Sequence, residues 1–549
     1  MSVLPRPTAV LCAFVAAAAL LPTAAPAAAA TALTFGACPD SVPKPPAPDH
    51  VECGRLSVPL DRHHPSGPHI EIAVSRVPAS GTPAERRGIL LVNPGGPGGS
   101  GLPYAVTKRA KLPASVRRSY DVIGFDPRGV GGSAPVDCGA MGGLFTAPGV
   151  DPVPMDPRSE RAYLTAQRHM ADDCAAGAGT EVLPYLSTVQ TAYDMDAIRA
   201  ALGEPRTGFL GVSYGSYLGA AYAAQFPHRV GRMVLDSVVG PWDWHDFDMI
   251  QSRALLRARD TFFGWTAAHP DRFGLGADMA AVRRSYLHVR QALAARPVNG
   301  FGPAEFDRAV YRALGRTERW TSLADGLRAY LTDATVDGLR PPSAFDGPES
   351  RNYEAANRIV KCADGPGPAP REIVTDIRRI RRLDPQPVLT GLEATTCAYW
   401  QHRPGHRTPL GGPATPPVLL VASAHDPVTP IRGAHELREL LPGARLVTLE
   451  NDYSHGVFAS RGNACVDGAV AAYLVDGVVP GAMCGAAGPG CRGCGDAVRP
   501  RCRSAILQPV WGSPCSKSLG SLRTRPVQGR KRGTGGRRPQ RTPARSPVP

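Results

Sequence analysis

A single serine, Ser213, stands between two glycines in G-V-S-Y-G, residues 211–215. The apolar run T-G-F-L-G-V ends just before it, and the small and apolar residues of a buried helix follow it. Glycines on both sides leave room for a tight strand-to-helix turn that strains the serine backbone and exposes its hydroxyl. The helix N-terminus behind it favours a developing negative charge. The pattern predicts a nucleophile at Ser213, although a turn that merely begins a helix would have similar residues.

A serine hydroxyl needs a base, and two later segments offer a base and a carboxylate. Asp426 directly follows the apolar run P-P-V-L-L-V-A-S-A-H, and His455 lies in N-D-Y-S-H-G-V-F, after the next apolar run. If both runs are strands of one sheet, they place these residues at the same edge as Ser213. His455 would then accept the serine proton, and Asp426 would orient the imidazole. His425 and Asp452 are neighbouring alternatives, and D-P-V-T-P could be only a turn.

The glycine-rich segment N-P-G-G-P-G-G-S-G, residues 93–101, follows another apolar run. Its backbone N–H groups could stabilise the oxyanion of an acyl-transfer reaction. Pro97 has no N–H, so we expect Gly96 to be one donor and Tyr214, directly after the nucleophile, to be the other. A phosphate-binding loop fits poorly, because no G-K-[S/T] follows.

The elements that would position these residues are short apolar runs separated by helix-like segments. Runs of this length are typical of parallel strands covered on both faces. The expected strands are 88–92, 120–125, 207–212, 229–240, 416–426 and 444–451, after a strand pair within 55–80. The expected helices among them are 191–202, 215–226, 431–441 and 463–475. This alternation predicts an α/β fold with a mostly parallel, doubly wound sheet.

Residues 241–410 interrupt the alternation. Helix-like stretches occur at 247–268, 277–295, 303–315 and 319–332. We expect a helical cap inserted between two strands and lying over the strand ends. The predicted organisation is a signal peptide (1–32), a core (33–240), the cap (241–410), the rest of the core (411–487) and a basic disordered tail (488–549). In D-P-R-G-V-G-G-S, which follows one expected strand, Arg128 is expected to pair locally in a structural turn.

The first 32 residues have the features of an export signal: an early arginine, an apolar run and small residues near a cleavage position. The run is too short to anchor the chain in a membrane. Eight cysteines between this segment and the tail fall into neighbouring couples, which predicts disulfides in an oxidising compartment. The expected pairs are Cys38–Cys53, Cys138–Cys174, Cys362–Cys397 and Cys465–Cys484. The sequence predicts no metal ion and no cofactor.

Most of the net charge of +15 lies in residues 491–549, which contain 14 Lys or Arg and one Asp. The rest of the chain is nearly neutral, so nucleic-acid binding is not expected of the folded part. Its last part, residues 525–549, has almost no apolar content, and the tail is expected to be disordered. It is either a basic arm for an acidic cell-surface polymer or an extension without function.

The motifs N-P-G-G-P-G-G-S-G, Y-D-V-I-G-F-D-P-R-G-V-G-G-S, G-V-S-Y-G-S-Y-L-G, H-D-P-V-T-P and Y-S-H-G-V-F resemble those of the secreted tripeptidyl aminopeptidases of actinomycetes. These belong to the proline iminopeptidase-like branch of the α/β-hydrolases, whose H-G-G-P-G-G is replaced here by a segment beginning Asn-Pro. The resemblance covers residues 35–485. It implies a serine exopeptidase with a helical cap, acting on peptides with a free N-terminus, and assigns nucleophile, acid and base to Ser213, Asp426 and His455.

Two other functions stay open at this point. A secreted carboxylesterase would use the same three residues, and a non-catalytic binding protein could share the fold. An aminopeptidase must also bind a free ammonium group. Acidic residues that could do so are Asp243, Asp246, Asp248 and Glu354, but acids are common at helix starts and none is assigned. The sequence leaves the oligomeric state open.

Overall fold

A computed structural model of the chain describes residues 33–139, 151, 153–340, 348–384, 393–402, 404, 406–480 and 483–484. The predicted signal peptide, 1–32, and the predicted basic tail, 488–549, lie outside the described residues. Among the described residues, every helix is too short or too polar to cross a lipid bilayer.

Ten strands are present in the described residues. In chain order they are β1 (Phe35–Gly36), β2 (Glu52–Pro59), β3 (His69–Val77), β4 (Gly88–Asn93), β5 (Tyr120–Phe125), β6 (Thr207–Val212), β7 (Val230–Asp236), β8 (Leu419–Ser423), β9 (Arg445–Leu449) and β10 (Met483–Cys484). They form one sheet in the order β1-β2-β3-β5-β4-β6-β7-β8-β9-β10. The first three strands are antiparallel, and every pairing from β5 to β10 is parallel. The expected mostly parallel sheet is confirmed.

The α-helices of the described residues are α1 (Leu102–Arg109), α2 (Ala114–Ser119), α3 (Pro157–Ala178), α4 (Thr188–Ala201), α5 (Tyr214–Gln225), α6 (Trp244–Ala267), α7 (Pro270–Phe273), α8 (Met279–Ala295), α9 (Pro303–Leu314), α10 (Trp320–Asp333), α11 (Pro348–Asp364), α12 (Pro370–Leu383), α13 (Arg432–Glu439) and α14 (Ala464–Asp476). The sequence analysis did not predict six of these helices, namely α1, α2, α3, α7, α11 and α12. Four of the six, α3, α7, α11 and α12, begin with proline, a common first residue of a helix.

The central strands are buried on both faces, which explains their continuous apolar sequences. In β4, Ile89 and Leu91 belong to one hydrophobic cluster, while Leu90 and Val92 belong to another. The first cluster includes residues of α3, α4, α5 and α13, and the second includes residues of α1, α2 and α14. Side chains that alternate between the two faces therefore anchor helices on both sides, as a doubly wound sheet requires.

The chain leaves the sheet after Asp236 and returns at Leu419, and β7 and β8 nevertheless pair directly. None of the described residues between them joins the sheet. Helices α8, α9 and α10 share a hydrophobic cluster of their own with α6. Helix α11 differs, because its residues Ala355 and Ile359 belong to the cluster on the sheet. The inserted helices thus pack partly on one another and partly on the sheet.

All four expected disulfides are confirmed: Cys38–Cys53, Cys138–Cys174, Cys362–Cys397 and Cys465–Cys484. The prediction that Arg128 pairs locally is wrong. Its guanidinium makes two hydrogen bonds, of 2.6 and 2.7 Å, to Asp194 of α4, and donates to the main-chain oxygens of Leu60 and Tyr185. A buried guanidinium needs a carboxylate and several acceptors, and the turn alone does not supply them.

Candidate active site

Ser213 occupies the turn between β6 and α5. Its backbone has φ +61° and ψ −127°, a conformation that L residues rarely adopt. The two flanking glycines make this turn possible, because a Cβ on Gly211 would lie 2.2 Å from the main-chain oxygen of Gly215. The Ser213 N–H donates to the Asp236 main-chain oxygen at 2.9 Å, which ties the turn to the end of β7. The serine is therefore held at the carboxyl edge of the sheet, at a helix N-terminus.

Asp426 and His455 lie together at the same edge, after β8 and β9. His455 Nδ1 is 2.9 Å from Asp426 Oδ2. The Asp426 side chain is fully buried, and that of His455 is 19% exposed. The carboxylate also accepts from the N–H groups of Val428 and Thr429 at 2.8 and 3.0 Å, and from the Thr429 hydroxyl at 2.7 Å. These bonds hold the carboxylate in one orientation toward the imidazole.

The neighbouring alternatives have other contacts. Asp452 accepts hydrogen bonds from Ser423 Oγ and the Ser454 N–H, so it shapes the loops after β8 and β9. The His425 ring stacks on Tyr453, with centroids 4.8 Å apart. The Asp and His that meet are thus Asp426 and His455.

The segment after β4 lies against the Ser213 turn. A Cβ on Gly95, where φ is +92°, would lie 2.9 Å from Ser213 Cβ and 3.1 Å from the Tyr214 nitrogen. Only a glycine permits both this conformation and this approach. Gly96, Ser213 and Tyr214 line one small cavity of about 50 Å³. The two expected oxyanion donors and the expected nucleophile therefore share one cavity.

The inserted helices supply most of the other lining residues of this cavity: Trp244, Phe247, Gln251, Tyr311, Tyr353, Asn357 and Lys361. The sequence analysis assigned none of them. Asn357 donates to the Pro97 oxygen at 3.2 Å, so α11 contacts the predicted oxyanion segment directly. The helical period of Ala355, Ala356, Ile359 and Val360 was the available signal for α11.

Three of the four acidic residues considered for ammonium binding, Asp243, Asp248 and Glu354, already have positively charged or main-chain partners. Asp243 pairs with Arg407, and Glu354 lies 3.7 Å from Arg308. Asp248 accepts from the Ala394 N–H and lies 3.9 Å from Lys361 Nζ. Because these carboxylates already have partners, they are not free to bind the ammonium group of a peptide.

A buried polar network lies behind Tyr214. Its hydroxyl is 2.7 Å from Thr188 Oγ1, and Thr188 donates both its N–H and its hydroxyl to Asp364, at 2.8 and 2.7 Å. Burial raises the pKa of Asp364 from 3.8 to about 6 and that of Tyr214 well above 10. The side chain of Tyr214 is thus held between the sheet and α11. The same contacts hold the Tyr214 N–H, which is the second expected oxyanion donor.

The sequence is similar to those of known hydrolases and peptidases. Residues 88–460 match the family described as alpha/beta hydrolase fold. The chain is 38% identical to the tripeptidyl aminopeptidase of Streptomyces lividans, over 80% of this chain and 83% of that protein. It is 32% identical to the serine protease Hip1 of Mycobacterium tuberculosis, over 81% and 90%. It is also 32% identical to the M. tuberculosis protein named carboxylesterase B, over 78% and 85%.

The fold, the strained serine turn and these similarities lead to one conclusion. This chain belongs to the α/β hydrolase family and is a serine hydrolase.

Proposed function

We propose that this enzyme is a secreted serine exopeptidase that cleaves peptides near a free N-terminus and releases tripeptides. The observation that carries the chemistry is the 2.9 Å contact between His455 and the buried Asp426, at the edge that also carries Ser213. The relatives named tripeptidyl aminopeptidase and serine protease support peptides as the substrate class.

In the first half of the proposed reaction, His455 Nε2 takes the proton of Ser213 Oγ as the oxygen attacks the substrate carbonyl carbon. The N–H groups of Gly96 and Tyr214 stabilise the oxyanion, and each such donor contributes about a hundred- to a thousandfold in rate. Asp426 stabilises the imidazolium. The C–N bond then breaks, the leaving amine takes the proton from His455, and an ester to Ser213 remains.

In the second half, His455 takes a proton from water, and the resulting hydroxide attacks the ester carbonyl. The C–O bond to Ser213 breaks, and the serine oxygen takes the proton back. The products are the released N-terminal peptide, with a new carboxylate, and the free enzyme. In both halves a nucleophile attacks a carbonyl carbon and His455 moves one proton. One pair of N–H donors and one base therefore serve both halves.

Substrate selection would come from the inserted helices, because they supply most of the cavity wall. The disulfides support folding in an oxidising compartment and therefore secretion. The positive charge of residues 488–549 is compatible with association with an acidic cell wall.

The test compares a tripeptide amide carrying a chromophore, with and without a blocked N-terminus. We expect fast release from the free-amine substrate by the wild type and none by Ser213→Ala. Analysis of products from longer unblocked peptides should give tripeptides. A Ser213→Ala variant that still turns over would contradict the assignment of the nucleophile.

A carboxylesterase is the second candidate, because one relative of similar identity bears that name. Both reactions pass through the same ester to Ser213. Equal or faster hydrolysis of N-blocked and simple esters, without release from unblocked peptides, would favour the esterase.

A further inference from the structure

We propose that Asp236 is a positioning residue that sets His455 relative to Ser213, and that Lys108 is its buried counter-ion. This role rests on the proposed function, since it concerns how the serine is activated. Asp236 is the last residue of β7 and is fully buried. It is not one of the three residues expected to react.

Asp236 contacts both sides of the site. Its main-chain oxygen accepts the Ser213 N–H at 2.9 Å. Its carboxylate accepts the N–H groups of Val457 and Phe458, the second and third residues after His455, at 2.9 to 3.1 Å. One residue therefore spans from the serine turn to the histidine loop. Its position bears directly on the separation of the serine and the imidazole.

The next residue strengthens the same link. Ser237 Oγ accepts the Gly456 N–H at 2.8 Å, and the Ser237 N–H donates to Val421 of β8. Three consecutive N–H groups after His455 thus bind to two consecutive side chains at the end of β7. A loop held by charge-assisted bonds at this density has little freedom to move the imidazole.

A buried carboxylate needs a compensating charge, and the proposal assigns that charge to Lys108 of α1. Lys108 is 2% exposed, donates to the Phe458 main-chain oxygen and lies 3.3 Å from Ser460 Oγ. Lys108 and Asp236 bind the same residue, since the Phe458 main-chain oxygen accepts from Lys108 and the Phe458 N–H donates to Asp236. Because α1 follows the predicted oxyanion segment, this pair joins the oxyanion, serine and histidine parts of the site.

The same loop contains a matched control. Asp467 of α14 is another acid that interacts with Lys108, and it accepts the Ala459 N–H at 2.8 Å. That bond lies one residue beyond those of Asp236, on the side away from His455 in the chain. Asp467→Asn makes the same chemical change without touching the link to Ser213.

The experiment measures two rates on the full chain: labelling by a fluorophosphonate, which needs an activated serine but no peptide, and kcat and KM on the free-amine tripeptide amide. We expect Asp236→Asn to lower the labelling rate and kcat about 10- to 100-fold, with KM within about threefold of wild type. Ser237→Ala, which leaves no charge behind, should lower both rates about two- to fivefold. Asp467→Asn should leave both within twofold.

The double variant Asp236→Asn/Lys108→Met separates positioning from stability. Removing the ammonium that Asp236 no longer compensates should restore the thermal midpoint toward that of the wild type, while kcat stays low. It also provides a folded protein if Asp236→Asn alone does not fold. Recovery of kcat together with stability would overturn the positioning role, as would a folded Asp236→Asn enzyme with wild-type rates. A wild type that is not labelled at all would overturn the proposed function itself, and with it this role.

Discussion

The edge of the sheet and the helices between β7 and β8 contribute different kinds of residue to one cavity. At the edge, main-chain hydrogen bonds fix the polar groups: Ser213 is tied to β7, and Asp426 accepts two N–H groups of its own turn. From the helices come mainly large aromatic and amide side chains, such as Trp244, Phe247 and Gln251. In the proposed function, the edge carries the reaction and the helices select the substrate.

The largest effect is expected when the nucleophile at the edge of the sheet is removed. Ser213→Ala should lower kcat/KM by about 10⁴- to 10⁶-fold on peptide and ester substrates alike, because no other group can form the covalent intermediate. Its thermal midpoint should match that of the wild type. A loss confined to peptides would show that the division between edge and helices is wrong.

Asp426→Asn should be next, with kcat about 10⁴-fold lower and a modest change in KM. The amide keeps the shape but cannot stabilise the imidazolium and favours the wrong tautomer. Asp452→Asn is the matched control, since Asp452 bonds within the loops rather than to His455, and its kcat should stay within about threefold. If kcat fell equally in the two variants, the assignment of Asp426 as the carboxylate that orients His455 would be wrong.

Asp364 tests how firmly the two regions are joined. This acid of α11 accepts two hydrogen bonds from Thr188 of α4, and burial raises its pKa to about 6. With a folded pKa above the unfolded value, its stabilising contribution is full below pH 3.8 and is lost as the pH rises through 6. The difference corresponds to about 3 kcal/mol.

Denaturant unfolding of the wild type and Asp364→Asn at pH 4.5 and 7.5 measures about 2 kcal/mol of this contribution, since part of it is already lost at pH 4.5. The wild type should lose more free energy of unfolding than the variant between the two pH values. An identical pH dependence in both proteins would show that Asp364 is ionised with an ordinary pKa, and that the contact between α11 and the core is not a titrating one.

The smallest effect concerns the cavity wall. Tyr311→Ala should raise KM for the tripeptide amide about 5- to 20-fold and leave kcat within threefold, because the ring contacts substrate equally before and during the reaction. Tyr330→Ala removes a similar half-buried ring from the same helical cluster but outside the cavity, and should change neither constant. If Tyr311→Ala lowered kcat and left KM unchanged, the helices would take part in the chemical step.

The edge could be predicted from the sequence because each of its residues follows a short apolar run, and the glycines around Ser213 are required by a specific turn. The four disulfides could be predicted because their partners are neighbours among the cysteines. The Arg128–Asp194 pair could not, because only the folded sheet brings the end of β5 near α4. Lys108 is likewise an ordinary surface lysine by sequence, and its burial against Phe458 depends on a contact 350 residues away.

The cavity wall was the least predictable part. Its residues are common aromatic and amide side chains on helices, where helical spacing indicates packing and says nothing of substrate. Tyr353, Asn357 and Lys361 come from α11, and the packing of apolar α11 residues in the cluster on the sheet is a property of the whole fold.

The most direct measurement is the location of the covalent adduct formed by a fluorophosphonate, determined by mass spectrometry of the digested protein. We predict a single adduct on Ser213, absent from Ser213→Ala and formed at least about 10³-fold more slowly in His455→Ala. An adduct on another residue, or equal labelling of the His455→Ala variant, would contradict the account.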